Sequence, residues 1–390
     1  MINLTDYLDP VSLERHSAGN IPDQSQFSRT LTVNTESNPL TTLKGFRAAI
    51  IGVPDDRTSP EPGSAAAPDA IRRILYGMAR IPGKMKIADT GNLKPGAGPN
   101  DTIAGLTEVL NHFSQHNILT IIIGGTSSLF QSVNRLYHAA GSSFSLVAVD
   151  SRIDYSPESR ENGYYNSLFP FFSSTGNSMT HFVNLGYQTY LNDPQLITRL
   201  SRKHHDLIRL GDVRQAIHLT EPYLRDSEAV LFDIGAVRQA DAPGSLNSSP
   251  NGLYAEEACL IARYTGVSDR LKYFGLFEVN PLTDKSGQTA ALASQIIWFL
   301  LESYSQKQAE NPAGGEDGTG RFTRYHINID DIDTEMVFVK SNYTERWWLE
   351  LNSSKGERVY VACAYEDYLK ANSNEVPGRW VSSMARLKSG

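Results

Sequence analysis

Cysteine is scarce in this chain: Cys259 and Cys363 are the only two among 390 residues. That leaves no material for a disulfide framework or a Cys-based zinc site. Long apolar runs are missing as well. The longest, around Ile296 to Leu301, falls far short of the roughly 20 residues that cross a bilayer, so no membrane insertion is expected. The opening stretch MINLTDYLDP has neither the basic nor the apolar region of a secretory leader. A reducing, cytoplasmic setting is therefore the expectation. Positive charge is not in excess, since 36 Lys and Arg stand against 43 Asp and Glu, and the resulting charge of -7 mildly opposes binding to nucleic acid. Gly124-Gly125 is followed by no lysine, and Gly-x-Gly-x-x-Gly does not occur, so that pair reads as a tight turn and not as a phosphate loop. There is no Gly-x-Ser-x-Gly elbow, and Ser127 has no histidine at a recognisable spacing, which removes the serine hydrolases.

What remains is an ordinary globular composition, 40% apolar and 20% charged, in a chain long enough for one large domain and an extension. Residues 1–45 are polar and turn-rich, and read as an arm with one short helix. Strand-like runs recur at 47–53, 85–89, 118–123, 145–150, 182–187, 207–210, 229–233 and 273–278. Helical patterns at 102–116, 193–203, 213–225 and 287–302 fill gaps between them, and Pro68 and Asp69 suit the first turn of another helix. Strand alternating with helix predicts an α/β fold, a parallel sheet of about eight strands covered on both faces. That domain is expected to span 46–303. Residues 304–320, Gly-rich and without periodicity, read as a flexible linker. The extension at 321–390 carries short strand-like runs at 335–340, 346–350 and 358–362, then a helix near 365–371.

The stretch SLVAVDSRIDY at 145–155 organises the candidate chemistry. It predicts a buried strand with Asp150, Arg152 and Asp154 at its carboxyl end, where open α/β sheets place their crevice. Gly124-Gly125-Thr126-Ser127-Ser128 follows the strand at 118–123, and Asp233 and Gly235 follow the strand at 229–233. In a doubly wound sheet the three segments can converge.

On these residues the chain resembles the arginase and agmatinase superfamily of ureohydrolases, which includes formimidoylglutamase. That family carries Gly-Gly-x-His, Asp-x-His-x-Asp and Asp-x-Asp at the three strand ends and holds two manganese ions there. GVPDD at 52–56, PGSAAAPDAIR at 62–72, NGLYAEE at 251–257 and FEVNPLTDKSGQTAALA at 277–293 are similar to further family segments. The resemblance covers roughly 45–303 and implies the three-layer arginase-like fold. It also implies a homo-oligomer, because family members are commonly trimers or hexamers.

Half of the implied ligand set is missing. Ser127 and Arg152 stand where the family has its histidines and Gly235 where it has an aspartate, leaving Asp150, Asp154 and Asp233. A guanidinium has no lone pair to donate to a metal. It also repels one: a unit pair at about 4 Å and an effective dielectric near 20 interacts by about 4 kcal/mol, and a divalent ion by about twice that. The expectation is a degenerate pocket in which Arg152 balances the aspartates, with no cofactor and no metal-dependent hydrolysis, in a protein that serves as a binding, regulatory or assembly module. The competing reading is an active hydrolase of a guanidino or formimidoyl substrate, in which Asp150, Asp154 and Asp233 hold manganese or another divalent ion. The resemblance further implies a guanidino-binding role for Glu278, with Asn280 as a second ligand-binding candidate; a structural carboxylate is the plainer reading of Glu278. His204-His205 reads as a helix-end cap or a solvated pair. In the extension, Arg346, Trp347, Trp348, Arg379 and Trp380 are the residue types of an interface, either with a protein partner or within the chain or its oligomer.

Overall fold

Short runs of branched apolar residues, buried on both sides, build the frame. The structure is a computed structural model, and it describes residues 3–12, 21–158, 163–173, 178–314, 320–330 and 334–389. Its first half comprises α1 (Leu4–Tyr7), β1 (Leu8–Asp9), β2 (Leu31–Val33), β3 (Ala48–Gly52), α2 (Ala67–Leu75), β4 (Ile87–Leu93), α3 (Pro99–Ser114), β5 (Leu119–Ile123), α4 (Gln131–Ala139), β6 (Phe144–Val149), α5 (Phe169–Ser173) and β7 (Met179–Tyr187). Then come α6 (Pro194–Arg202), β8 (Asp206–Arg209), α7 (Leu210–Gln215), α8 (Glu221–Arg225), β9 (Ala229–Asp233), α9 (Ala255–Gly266), β10 (Tyr273–Phe277) and α10 (Gln288–Gln306). The tail holds β11 (Phe322–Ile329), β12 (Thr334–Ser341), β13 (Trp347–Asn352), β14 (Arg358–Cys363), α11 (Tyr365–Asn372) and α12 (Gly378–Ser389).

Eight strands run parallel in the order β4-β3-β5-β10-β9-β6-β7-β8. The arm adds two short strands at the β4 edge, β1 antiparallel and β2 parallel. Successive side chains of a strand point to opposite faces, and both faces are apolar here. Ile50, Ile121, Val147, Val230 and Phe274 pack with α2, α9 and α10 on one side. Ile51, Ile122, Leu146, Leu231 and Tyr273 pack with α3, α4 and α6 on the other. The result is three layers, helix, sheet and helix, with a separate antiparallel sheet β11-β12-β13-β14 in the tail.

Several boundaries differ from the sequence-based expectation for physical reasons. The segment 213–225 is not one helix: Ala216 leaves helical geometry, and Pro222, which lacks an N–H, opens the separate α8. Helix α10 runs past residue 303 to Gln306, and a single turn of 3-10 helix covers Pro312–Gly314. Residues 315–319 of the expected linker lie outside the described residues, as do parts of the arm, 1–2 and 13–20. Strand β11 and helix α12 were not anticipated. The alternation of β11 is blurred by a half-buried stretch, and the run that forms α12 begins at Gly378, right after Pro377.

Candidate functional site

The four strands that bear the candidate residues, β5, β10, β9 and β6, are consecutive neighbours at the centre of the sheet. Register brings their carboxyl ends level. Leu276 lies opposite Ile123, Phe277 opposite Asp233, and Val149 opposite Phe232. Asp150, Asp233 and Glu278 therefore sit on adjoining strand ends about 5 Å apart. The chain then turns back after β6, held by Ile153 N–H donating to Asn192 Oδ1 at 2.7 Å, which returns Asp154 to the same place. Carboxylate oxygens of Asp150, Asp154 and Asp233 lie within 4.8 Å of one another, and all three residues are buried.

Backbone amides cap these carboxylates. Arg152 N–H donates to Asp150 Oδ1 at 2.9 Å, Gly235 N–H to Asp233 Oδ1 at 2.7 Å, and Ser127 N–H to Glu278 Oε1 at 2.7 Å. The hydroxyl of Tyr164 also donates to Glu278, and Asn247 Nδ2 donates to that hydroxyl at 3.2 Å. Three amides are too few to offset burial. Desolvation, followed by the charges of Asp233 and Asp154, pushes Asp150 well above the usual carboxylate range. Burial also pushes Asp154 up to about 7, aided by Asp233 and opposed by Arg152. Asp233 rises to about 7 through burial, opposed by Gly235 N–H and Arg152. Glu278 is raised by burial and then by Asp233.

Arg152 contributes its charge to this cluster from a half-buried position, and its Nε is buried with no hydrogen-bond partner. Glu278 is held at φ +66°, a left-handed conformation that costs an ordinary residue of order 1 kcal/mol and is usually retained where a site demands it. The two glycines after β5 are needed for close approach: a Cβ on Gly124 would meet Pro68 Cδ at 2.4 Å, and one on Gly125 would meet Asp55 O at 2.4 Å. Asn280 is occupied in joining loops. Its Nδ2 donates to Pro62 O at 3.2 Å, and its Oδ1 accepts from Leu282 N–H at 3.0 Å. Sequence reasoning missed Tyr164, which opens a single turn of 3-10 helix, and Asn247, which lies in a loop; neither segment is long enough to give a spacing signal. His204 and His205 fall at the opposite end of β8 from the site, where His205 accepts Phe182 N–H at 3.2 Å.

The tail residues lie against the core of the same chain. Arg225 of α8 donates to Trp347 O at 3.1 Å and stacks 4.5 Å from the Trp348 ring. Arg379 donates to Pro222 O at 3.1 Å and lies over the Tyr223 ring at 4.1 Å. Arg346 faces Glu221 at 3.7 Å, and Trp380 packs half-buried with the tail cluster around Trp347.

The donor set does not suit two manganese ions. Three carboxylates remain and no imidazole joins them among the described residues. Gly235 has no donor to offer, and a Cβ there would already meet Asp233 Oδ1 at 3.0 Å and Ser245 Oγ at 3.1 Å. Three oxygen donors match at most one hard cation completed by water.

Comparison with known proteins agrees with the architecture. The sequence profile of the arginase family matches residues 46–302. Proclavaminate amidinohydrolase of Streptomyces clavuligerus is 26% identical over 285 residues, covering 67% of this chain and 90% of that protein. Formimidoylglutamase of Corynebacterium efficiens is 25% identical over 253 residues, covering 62% of this chain and 79% of the relative. Among solved structures, formimidoylglutamase from Bacillus subtilis superimposes with a TM-score of 0.65 at 16% identity, over 75% of this chain and 95% of that one. Formiminoglutamase of Trypanosoma cruzi with Mn2+ superimposes at 0.61 and 18% identity, over 68% and 97%. With its central parallel sheet, its three converging strand ends and a family match over most of its length, the chain belongs to the arginase family of ureohydrolases.

Proposed function

We propose that this chain has left binuclear manganese hydrolysis and acts as a binding, regulatory or assembly module on the ureohydrolase fold. One observation carries the reading: Ser127, Arg152 and Gly235 occupy three strand-end positions where metal donors would stand, and the backbone amides of all three are committed to the remaining carboxylates. In this reading Arg152 supplies, as a tethered cation, part of the charge a metal would bring, and no cofactor resides in the pocket. The protein works in the cytoplasm as a homo-oligomer. The test is metal content after purification with added manganese, with urea and formamide release assayed on the same sample. No bound metal and no turnover supports the reading; about two equivalents of manganese with turnover overturns it.

A second reading has its own support. The three aspartates converge closely enough to share one ion, and the relatives above are named as hydrolases of amidino and formimidoyl compounds. In that reading Asp150, Asp154 and Asp233 would hold one divalent cation, which when bound supplies an activated water. Glu278 would fix the substrate's cationic end through its carboxylate. One equivalent of metal lost in Asp154→Asn, together with turnover lost in Glu278→Gln, identifies it.

A further inference from the structure

The opposite, amino-terminal end of the sheet carries a second cleft, about 17 Å of strand away from the carboxylates. Arg47, Glu228 and Lys272 immediately precede β3, β9 and β10. With Arg270, and with Tyr304 and Lys307 at the end of α10, they line a cavity of about 540 Å3. A neighbouring cavity of about 260 Å3 shares Asn117, Ile118 and Lys272 with it and is lined beyond them by Leu136 and Tyr137.

Charge in the larger cavity is unbalanced. Arg47, Arg270, Lys272 and Lys307 face only Glu228 and Asp269, an excess of positive charge in a chain that is acidic overall. Both carboxylates are already engaged. Glu228 accepts from Arg270 Nε at 2.8 Å and from the Ser145 N–H and hydroxyl at 2.8 and 2.7 Å. Asp269 accepts Glu310 N–H at 2.8 Å and stands 4.0 Å from Lys307. Helix-end carbonyls account for one cation, since Lys307 Nζ donates to Ser268 O at 3.0 Å. With Glu228 holding Arg270 and Asp269 standing near Lys307, Arg47 and Lys272 are left without a carboxylate among the lining residues. Arg47 and Lys307 lie on one ring, 5.7 and 4.2 Å from the centre of Tyr304. Burial first, and the charge of Arg47 after it, lower the proton affinity of Lys307, against the pull of Asp269. Two like charges held on one ring are stabilised by an anion between them.

We propose that this cleft binds a phosphorylated small molecule. Its phosphate lies among Arg47, Lys272 and Lys307, and its organic part extends over Ile118 toward Leu136 and Tyr137. The planar fork of Arg47 and the ammonium groups of Lys272 and Lys307 match a phosphate dianion, and the wall formed by Leu136 and Tyr137 accommodates a flat ring. The proposal is independent of whether the carboxylate pocket hydrolyses anything.

The test is calorimetric titration of the full chain with adenosine monophosphate and with inorganic phosphate, at low ionic strength. Adenosine monophosphate is expected to bind more tightly than phosphate. Arg47 and Lys272 are exposed, so Arg47→Ala and Lys272→Ala should fold normally, and each should weaken binding by roughly tenfold or more. Arg47→Lys should retain more of the affinity than Arg47→Ala. No binding of either probe, or binding that both alanine variants leave unchanged, overturns the site. Adenosine monophosphate binding no more tightly than phosphate overturns the assignment of the apolar arm.

Discussion

Glu278 Oε1 accepts the N–H of Ser127 at 2.7 Å while its own backbone sits at φ +66°, so the end of β10 is bound to the loop that follows β5. The strain at Glu278 and the bond that repays it belong together, because the bend turns the carboxylate toward the amide. Glu278→Ala keeps the strain and strands two donors, the Ser127 N–H and the Tyr164 hydroxyl, at about 1–3 kcal/mol for each. Glu278→Gln keeps an acceptor for that amide, so its cost should be well below that of the alanine variant. Chemical denaturation of the pair measures this; equal losses would show that the bond to Ser127 contributes nothing.

The aspartate cluster should make stability fall as pH rises. Asp154 and Asp233 titrate near 7 in the fold, against about 4 in an unfolded chain. A carboxyl that holds its proton more tightly when folded contributes stability that is complete below about pH 4 and is lost progressively up to about pH 7. In the presence of a chelator, the thermal midpoint of the wild type relative to that of Asp154→Asn should fall between those limits. Manganese should leave the midpoint unmoved if the leading reading holds. A midpoint that climbs with manganese concentration favours the single-ion reading.

The architecture was readable because both faces of the sheet's centre are buried and its strands are consequently short apolar runs, as at Leu119–Ile123 and Ala229–Asp233. The convergence of Asp150, Asp154 and Asp233 was readable for the same reason, since their runs end where the charge begins. Tyr164 and Asn247 were not, because their short segments are placed by tertiary contacts and leave no period in the sequence. Strands β1 and β2 are too short to show alternation. The roles of Trp347 and Trp348 could not be assigned from composition. A tryptophan beside an arginine looks the same whether it meets a partner or, as here, Arg225 of its own chain.

His205 should give the opposite pH response. Burial first, and the neighbouring charges of His181 and Lys203 next, push it down to about 4, and its Nδ1 accepts Phe182 N–H, which a protonated ring could not do. A histidine whose proton affinity is depressed by folding contributes stability that is complete above about pH 6.5 and is lost as pH falls toward 4. This window overlaps that of the aspartates with the opposite slope, so the wild-type curve shows only their difference. His205→Gln in an Asp154→Asn background should reduce the loss of stability toward pH 4. A curve that still falls toward pH 4 to the same extent would clear His205 of the effect.

The tail and the core should unfold as one unit, because the junction is made of buried cations and rings rather than surface contacts. Trp348 lies buried over Arg225, and Arg225 in turn donates to Trp347 O and Cys363 O and is paired with Glu221 at 2.9 Å. Removing the indole takes away apolar contact and exposes an arginine that the ring had covered. Trp348→Ala should therefore cost about 3–5 kcal/mol, and Trp348→Phe, which keeps a ring over the guanidinium, clearly less. Arg379→Ala, which strands the carbonyls of Pro222 and Ala362 and leaves Asp226 without a cation at 3.6 Å, should cost about 3 kcal/mol by the same logic. Calorimetric unfolding reads the outcome: one transition displaced to lower temperature in both variants is expected. A second transition in the wild type would mean that the extension is an independent module tethered to the ureohydrolase fold.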